Sequence, residues 1–201
     1  IQAGVNTLGT DNVTAWATYG KVDGLYWMMI NALGISATTF VGQNFGAGRL
    51  DRVRKGAGAC MVIGVVLTAS VGVVLYNGGH LLVELFTTDQ QVQAISMDLL
   101  HFMVPTFITY IAIEILSGTL RGVGDAWMPL VITGIGVCAV RVLWIMLVLP
   151  HYHTIIGAAF CYPLTWSLTT VAFVIYYYFF SSLRRWKLKP LKKRFGVYKP
   201  F

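Results

Sequence analysis

Charge in this chain is gathered into short breaks between long apolar runs, and that arrangement leaves few folds open. Residues 56–83 contain no Asp, Glu, Lys or Arg. A bilayer core is crossed by about 20 consecutive apolar residues in a helix. Several such runs follow one another here, so an all-α integral membrane protein is expected, because helices satisfy their own backbone hydrogen bonds in lipid. Composition agrees: 56% of the 201 residues are hydrophobic and 11% charged, with a mean hydropathy of +0.67. A water-soluble domain carries far more charge.

Five complete spans are expected, at about 13–47, 56–86, 90–120, 127–150 and 154–181. Residues 1–8 read as the last turns of an earlier helix, and Asp11 is placed to cap the next one. The Asn77-Gly78-Gly79-His80 stretch offers a bend or an end to the second span, and Pro105 a kink in the third. Residues 1–183 form the transmembrane unit and 184–201 a basic tail. The chain opens on Ile1 with no basic, signal-like start, which reads as the C-terminal part of a longer protein.

The breaks also carry a topology signal. Arg49, Arg52, Arg54 and Lys55 cluster against a single acid, Asp51. Arg121 marks a second basic turn, and the tail from Arg184 to Lys199 a third. The intervening loops near Asp89 and His151 hold no Lys or Arg. Basic loops face the cytoplasm, so the C-terminus is expected there. The net charge of +7 therefore reports topology and contact with anionic lipid, not nucleic acid. Cys60, Cys138 and Cys161 fall in apolar runs without metal-ligand spacing and read as small core residues. No His-Glu-x-x-His, Gly-x-Ser-x-Gly or phosphate-binding loop is present, so nothing suggests an enzyme.

Ionisable residues inside a span ask for a partner or a wet cavity. Glu114 lies seven residues before Arg121, roughly 10 Å from the basic end at 1.5 Å per residue. Thr106, Tyr110, Glu114, Ser117 and Arg121 recur at spacings of three and four and share one helix face. Asp23, Trp27, Asn31, Gly34 and Thr38 line a face of the first complete span in the same way. Arg141 is also deep; Glu114 is one possible partner for it, Asp98 or a tyrosine another. Lys21 and Asp23 read either as a solvated pair at the outer rim or, for Asp23, as part of a transport path. Gly42, Gln43, Asn44, Gly46 and Gly48, with Arg121, Gly122 and Gly124 at the second basic turn, point to close helix packing or a gate, and Gly48 to a helix C-cap.

Three of these segments are specific. Asn6-Thr7-Leu8-Gly9, Gly42-Gln43-Asn44-Phe45-Gly46-Ala47-Gly48 with Arg52, and Leu120-Arg121-Gly122-Val123-Gly124-Asp125 with Pro129 resemble the MATE family, the multidrug and toxic compound extrusion transporters. Ala126 departs from the Thr frequent at that place. The resemblance implies the C-terminal six-helix lobe of a twelve-helix transporter, its first helix mostly missing and its N-terminal lobe outside these residues. It implies an antiporter of the plasma (bacterial inner) membrane that exports amphipathic or cationic drug-like molecules in exchange for Na⁺ or H⁺, by alternating access and with no other cofactor. Glu114, Tyr110, Asn31, Trp27, Asp23 and Arg141 are then the transport-path or cation candidates. Trp27 and Tyr110 are expected to offer cation-π surface to flat substrates. A lipid-linked oligosaccharide flippase of related architecture is the alternative, favoured by a more basic groove.

Overall fold

The computed structural model describes residues 2–152 and 154–180; the basic tail lies outside them. Every described regular element is helical: α1 (Gln2–Val5), α2 (Thr10–Gly46), α3 (Leu50–Glu84), α4 (Gln90–Met103), α5 (Ile108–Gly122), α6 (Trp127–Thr133), α7 (Val140–Leu147), α8 (Ile155–Ala159) and α9 (Cys161–Ile175). Short 3-10 or π-helical turns join several of these, leaving five helices long and apolar enough to cross a membrane: Thr10–Gly46, Leu50–Glu84, Gln90–Gly122, Trp127–Leu147 and Ile155–Phe180.

The ends of these helices follow from local chemistry. Gly9, at φ 97°, precedes α2, so the expected cap at Asp11 does not form and Asp11 sits in the first turn instead. Asp89 does cap α4, accepting from the Gln91 and Val92 amides at 2.8 and 3.3 Å. At the other end of α2, Gly48 takes φ 73°. Its amide donates to the Phe45 carbonyl, and the Arg49 amide donates to that of Asn44. Gly124, at φ 83°, repeats the arrangement after α5, with bonds from Gly124 to Arg121 and from Asp125 to Leu120. Both are Schellman ends, in which glycine adopts the left-handed conformation and the last carbonyls are satisfied.

Two expected interruptions turned out differently from one another. Pro105 does break its helix, converting Val104–Phe107 to a 3-10 turn between α4 and α5. The Asn77-Gly78-Gly79-His80 stretch does not interrupt α3, which runs on to Glu84. The Asn77 amide bonds back to the Val73 carbonyl at 2.8 Å, and the bare Gly79 lets Leu100 of α4 close in. A further irregularity, the π-helical Gly134–Ala139 between α6 and α7, lets Gly136 approach Thr169 of α9.

The core forms around α2, which packs against α3, α4 and α5, while α9 packs on α5. Tyr26, Ile30, Phe107, Ile111, Ile115 and Trp166 are almost fully buried there. The Tyr26 and Phe107 rings stack at 4.2 Å, and the Tyr26 hydroxyl donates to the Phe107 carbonyl at 3.2 Å, pinning α2 to the Pro105 kink. Large apolar side chains also cover the outside, among them Met28, Val66, Leu130 and Met146, as a lipid-facing surface requires. Cys161 is buried, Cys60 is half-buried and Cys138 is exposed, so Cys138 is not the core residue its apolar run suggested. The two Schellman ends lie together: Val41, Val53 and Val123 make one small cluster. The 85–89 loop sits near Lys21, and Val5, Leu149 and Ala158 cluster at that opposite end.

Candidate functional site

The site is built on the seam between α2 and α5, where small residues bring two backbones together. On α2, Gly34, Thr38 and Gly42 recur every four residues; on α5, Gly118 and Gly122 do the same. A Cβ at Gly118 would stand 2.7 Å from the Gly34 carbonyl oxygen, and one at Gly122 would stand 2.7 Å from that of Thr38. A Cβ at Gly42 would stand 3.4 Å from the Gly122 carbonyl oxygen. This is the close small-residue packing by which helices associate in lipid. Gly42 and Gly122 therefore do pack as expected. Gly46 does not: nothing stands within 4 Å of a Cβ built there. By Gly46, at the last turn of α2, no neighbouring helix stands close enough to require a bare backbone. Gln43 is exposed, whereas Asn44 is buried and donates to the Phe40 carbonyl at 2.8 Å. Gly48 and Gly124 serve as helix ends.

Into this seam projects Glu114. Its residue is 9% exposed, and a Cβ at Gly34 would overlap the carboxylate, so that glycine is its seat on α2. The Tyr110 hydroxyl donates to Oε2 at 3.0 Å, and the Arg121 guanidinium lies 3.7 Å from Oε1. Both partners lie on α5, four residues before and seven after, as the stripe anticipated. Arg121 is the more open of the pair, with 45% of its side chain exposed against 12% for Glu114. The carboxylate and guanidinium border a cavity of about 330 Å³ whose other walls are Asn31, Ile35, Thr38 and Thr39. A carboxylate so placed is held, oriented and still reachable from one side.

Arg141 is elsewhere. It does not pair with Glu114; Nε donates to Thr165 Oγ1 at 3.4 Å, and its Cζ lies 4.0 Å from the Tyr162 ring centre. A tyrosine is thus the partner, while Asp98 is exposed. A cation spread over a ring face and a hydroxyl is held without a counter-ion. The reading of Lys21 and Asp23 as a rim pair also fails: Lys21 lies 5.0 Å over the Phe86 ring, and the Asp23 carboxylate accepts from the Trp27 indole N–H at 2.5 Å. Residues two apart on a helix do not face each other, and these two diverge.

Trp27 and Tyr110 meet edge to face at 4.7 Å, and Trp27 packs in turn on Tyr26 and Trp166. The two rings are committed to each other and to the core rather than forming walls of the cavity. Asn31 does line it, with its amide bonded back to the Trp27 carbonyl at 2.8 Å. Asp23, Trp27, Tyr110, Glu114 and Arg121 thereby form one side-chain line along the seam. The periodicity of each helix placed these residues on two faces; only the structure shows that the faces meet. Gly118 was missed as a site residue, although Gly118 and Gly122 form a Gly-x-x-x-Gly pair that signals close approach, and Gly34, read on the Asp23 face, was not recognised as the seat of Glu114.

Known proteins share both sequence and fold with this chain. The profile of the MatE family matches residues 2–147. A probable multidrug resistance protein of Bacillus subtilis, YoeA, is 25% identical over 191 residues, which cover 94% of this chain and 40% of that protein. A probable multidrug resistance protein of Bradyrhizobium diazoefficiens, NorM, is 28% identical over 160 residues, 75% of this chain and 34% of that protein. The chain thus spans well under half the length of these relatives. Among solved structures, an outward-facing multidrug resistance MATE family transporter of the MOP superfamily superposes with a TM-score of 0.81 at 14% identity, covering 89% of this chain and 40% of that one. At that identity the likeness concerns the fold. With the family profile matched over residues 2–147, this chain belongs to the MatE family.

Proposed function

We propose that this chain supplies one lobe of a multidrug efflux antiporter, in which Glu114 exchanges a cation, either Na⁺ or H⁺, for a cationic substrate. The observation that carries the reading is the Glu114 carboxylate at the edge of the 330 Å³ cavity, held by Tyr110 and only loosely paired with a half-exposed Arg121. A carboxylate in a low-dielectric site binds one positive partner at a time. Coupling ion, substrate cation and the tethered Arg121 guanidinium then compete for it, and that exclusion links the two fluxes. Ion or substrate shifts the equilibrium between inward- and outward-open states by binding one of them better. The relatives' description as multidrug resistance proteins supports small-molecule export. A cleft with two walls draws its second wall from a lobe outside these residues.

Arg141 weighs against the flippase alternative. The phosphates of a lipid-linked sugar call for basic groups in the groove, and this deep cation is occupied by Tyr162 and Thr165. The test is dye efflux from proteoliposomes that hold the complete transporter, under an imposed Na⁺ or H⁺ gradient, with Glu114→Gln beside the wild type. Gradient-driven efflux should fall by about tenfold or more, since a transition-state or binding loss of 1.4 kcal/mol already gives that factor. Unchanged efflux in the variant would make Glu114 structural. Failure of the wild type under both gradients would move the function to the flippase.

A further inference from the structure

Asp23 is the second carboxylate of the seam, and its surroundings are unlike those of Glu114. One oxygen, Oδ2, accepts from the Trp27 indole. The other, Oδ1, is buried with no hydrogen-bond partner among the described residues, and so is the hydroxyl of Tyr19, a residue only 4% exposed. Tyr19 precedes Asp23 by four residues on α2, so the two side chains lie on one face, one helical turn apart. The Tyr19 hydroxyl carries a hydrogen of its own, so it can donate to the ionised carboxylate, and its oxygen can accept from a protonated one.

No counter-charge reaches this place among the described residues. On α2, Lys21 is exposed and turned over Phe86. From α5 the line brings Tyr110 and, beyond it, Glu114. From α9 comes Tyr162, within electrostatic range of Asp23, while Arg141 of α7 is spent on the Tyr162 ring and Thr165. Asp98 of α4 and Glu84 of α3 are exposed. A bare carboxylate here would be an uncompensated charge within a span, a costly state that membrane proteins keep for function. A hard metal cation is a poor fit, because such ions gather about six oxygen ligands and one carboxylate with one phenol supplies far fewer.

We propose that Asp23 and Tyr19 form a second proton-binding site, in which the proton rests on Oδ1 and is donated to the Tyr19 oxygen. One proton then removes the charge while the two oxygens stay paired. When it leaves, the carboxylate keeps the Trp27 N–H, and Trp27 stands against Tyr110, the residue that holds Glu114. The inference extends the antiporter reading by giving H⁺ its own site, separate from the carboxylate that meets substrate.

Infrared difference spectra between acidic and alkaline states of the complete transporter in lipid would test this, in the carboxylic C=O stretching region. The wild type should show a titrating carboxyl band that Asp23→Asn removes and Glu114→Gln retains. Tyr19→Phe keeps the ring and should shift that band without abolishing it, because the acceptor of the acid proton is gone. A spectrum unchanged by Asp23→Asn would overturn the proposal, and so would a band unmoved by Tyr19→Phe. Should Asp23→Asn fail to fold, the Tyr19→Phe shift, with the band kept in Glu114→Gln, decides the question. The antiporter reading fails separately: efflux untouched by Glu114→Gln would remove Glu114 from coupling and leave the Asp23 band in place.

Discussion

At the scale of single residues, the chemistry of the seam depends on a side chain that is missing. Glu114 can lie against α2 only because Gly34 has no Cβ. Gly34→Ala should push the carboxylate out toward the cavity, lengthening or breaking the Tyr110 bond, and should cost about 1–3 kcal/mol as overpacking. Thermal unfolding in detergent would show the loss, and dye efflux should fall with it even though no charge has changed. Gly46 is the control on the same helix. A Cβ there meets nothing, so Gly46→Ala should leave stability within about 0.5 kcal/mol and efflux intact. The contrast also shows what the sequence could say. Glu114, Tyr110 and Arg121 announce themselves by charge and by three- and four-residue spacing. Gly34 falls on the Asp23 face by the same spacing, but a glycine's position does not say what closes on it, so Gly34 and Gly46 are told apart only when a neighbouring helix is placed. The partner of Arg141 stayed open between Glu114, Asp98 and a tyrosine for a related reason: depth along each helix can be read from residue counts, but rotation about the helix axis relative to a distant helix cannot.

At the scale of elements, glycine and proline marked the helix ends well where the backbone had to change hand and poorly where it did not. Gly48 and Gly124 sit at φ 73° and 83°, where an L-residue is strained by roughly 1–2 kcal/mol. Gly124→Val should destabilise the protein by about that amount, measured as a lower unfolding temperature, although nothing crowds the position. Pro105 behaved as its chemistry dictates, since it has no N–H to give. The two glycines near Asn77 did not end α3, because in lipid a helix that stops must leave backbone groups unsatisfied. Gly78, in open space within α3, should accept Ala with a gain of up to about 1 kcal/mol, the ordinary helix preference; the same unfolding measurement would detect it. The π-helical segment at Gly134–Ala139 left no readable trace. It depends on how Gly136 meets Thr169 of α9, a contact between residues far apart in sequence.

At the scale of the whole molecule, the alternation of charge carries a statement about orientation that can be checked directly. The Arg49 loop and the Arg121 turn meet at one end of the bundle, through Val41, Val53 and Val123. The 85–89 loop and the 148–152 region, with no Lys or Arg, lie at the other. Short basic loops are retained on the cytoplasmic side, so the first end should face the cytoplasm. Ala47 and Thr88 are exposed positions in the two loops. With Cys60, Cys138 and Cys161 replaced by Ala, a single cysteine at either position reports its side to a thiol reagent that cannot cross the membrane. Ala47→Cys should react only in inside-out vesicles and Thr88→Cys only in right-side-out ones. The reverse pattern would invert the lobe and place the cavity beside Glu114 nearer the outer face, so that the coupling ion would reach its carboxylate from the other side. Labelling of both positions from one side would contradict the fold itself, because α3 would then fail to cross.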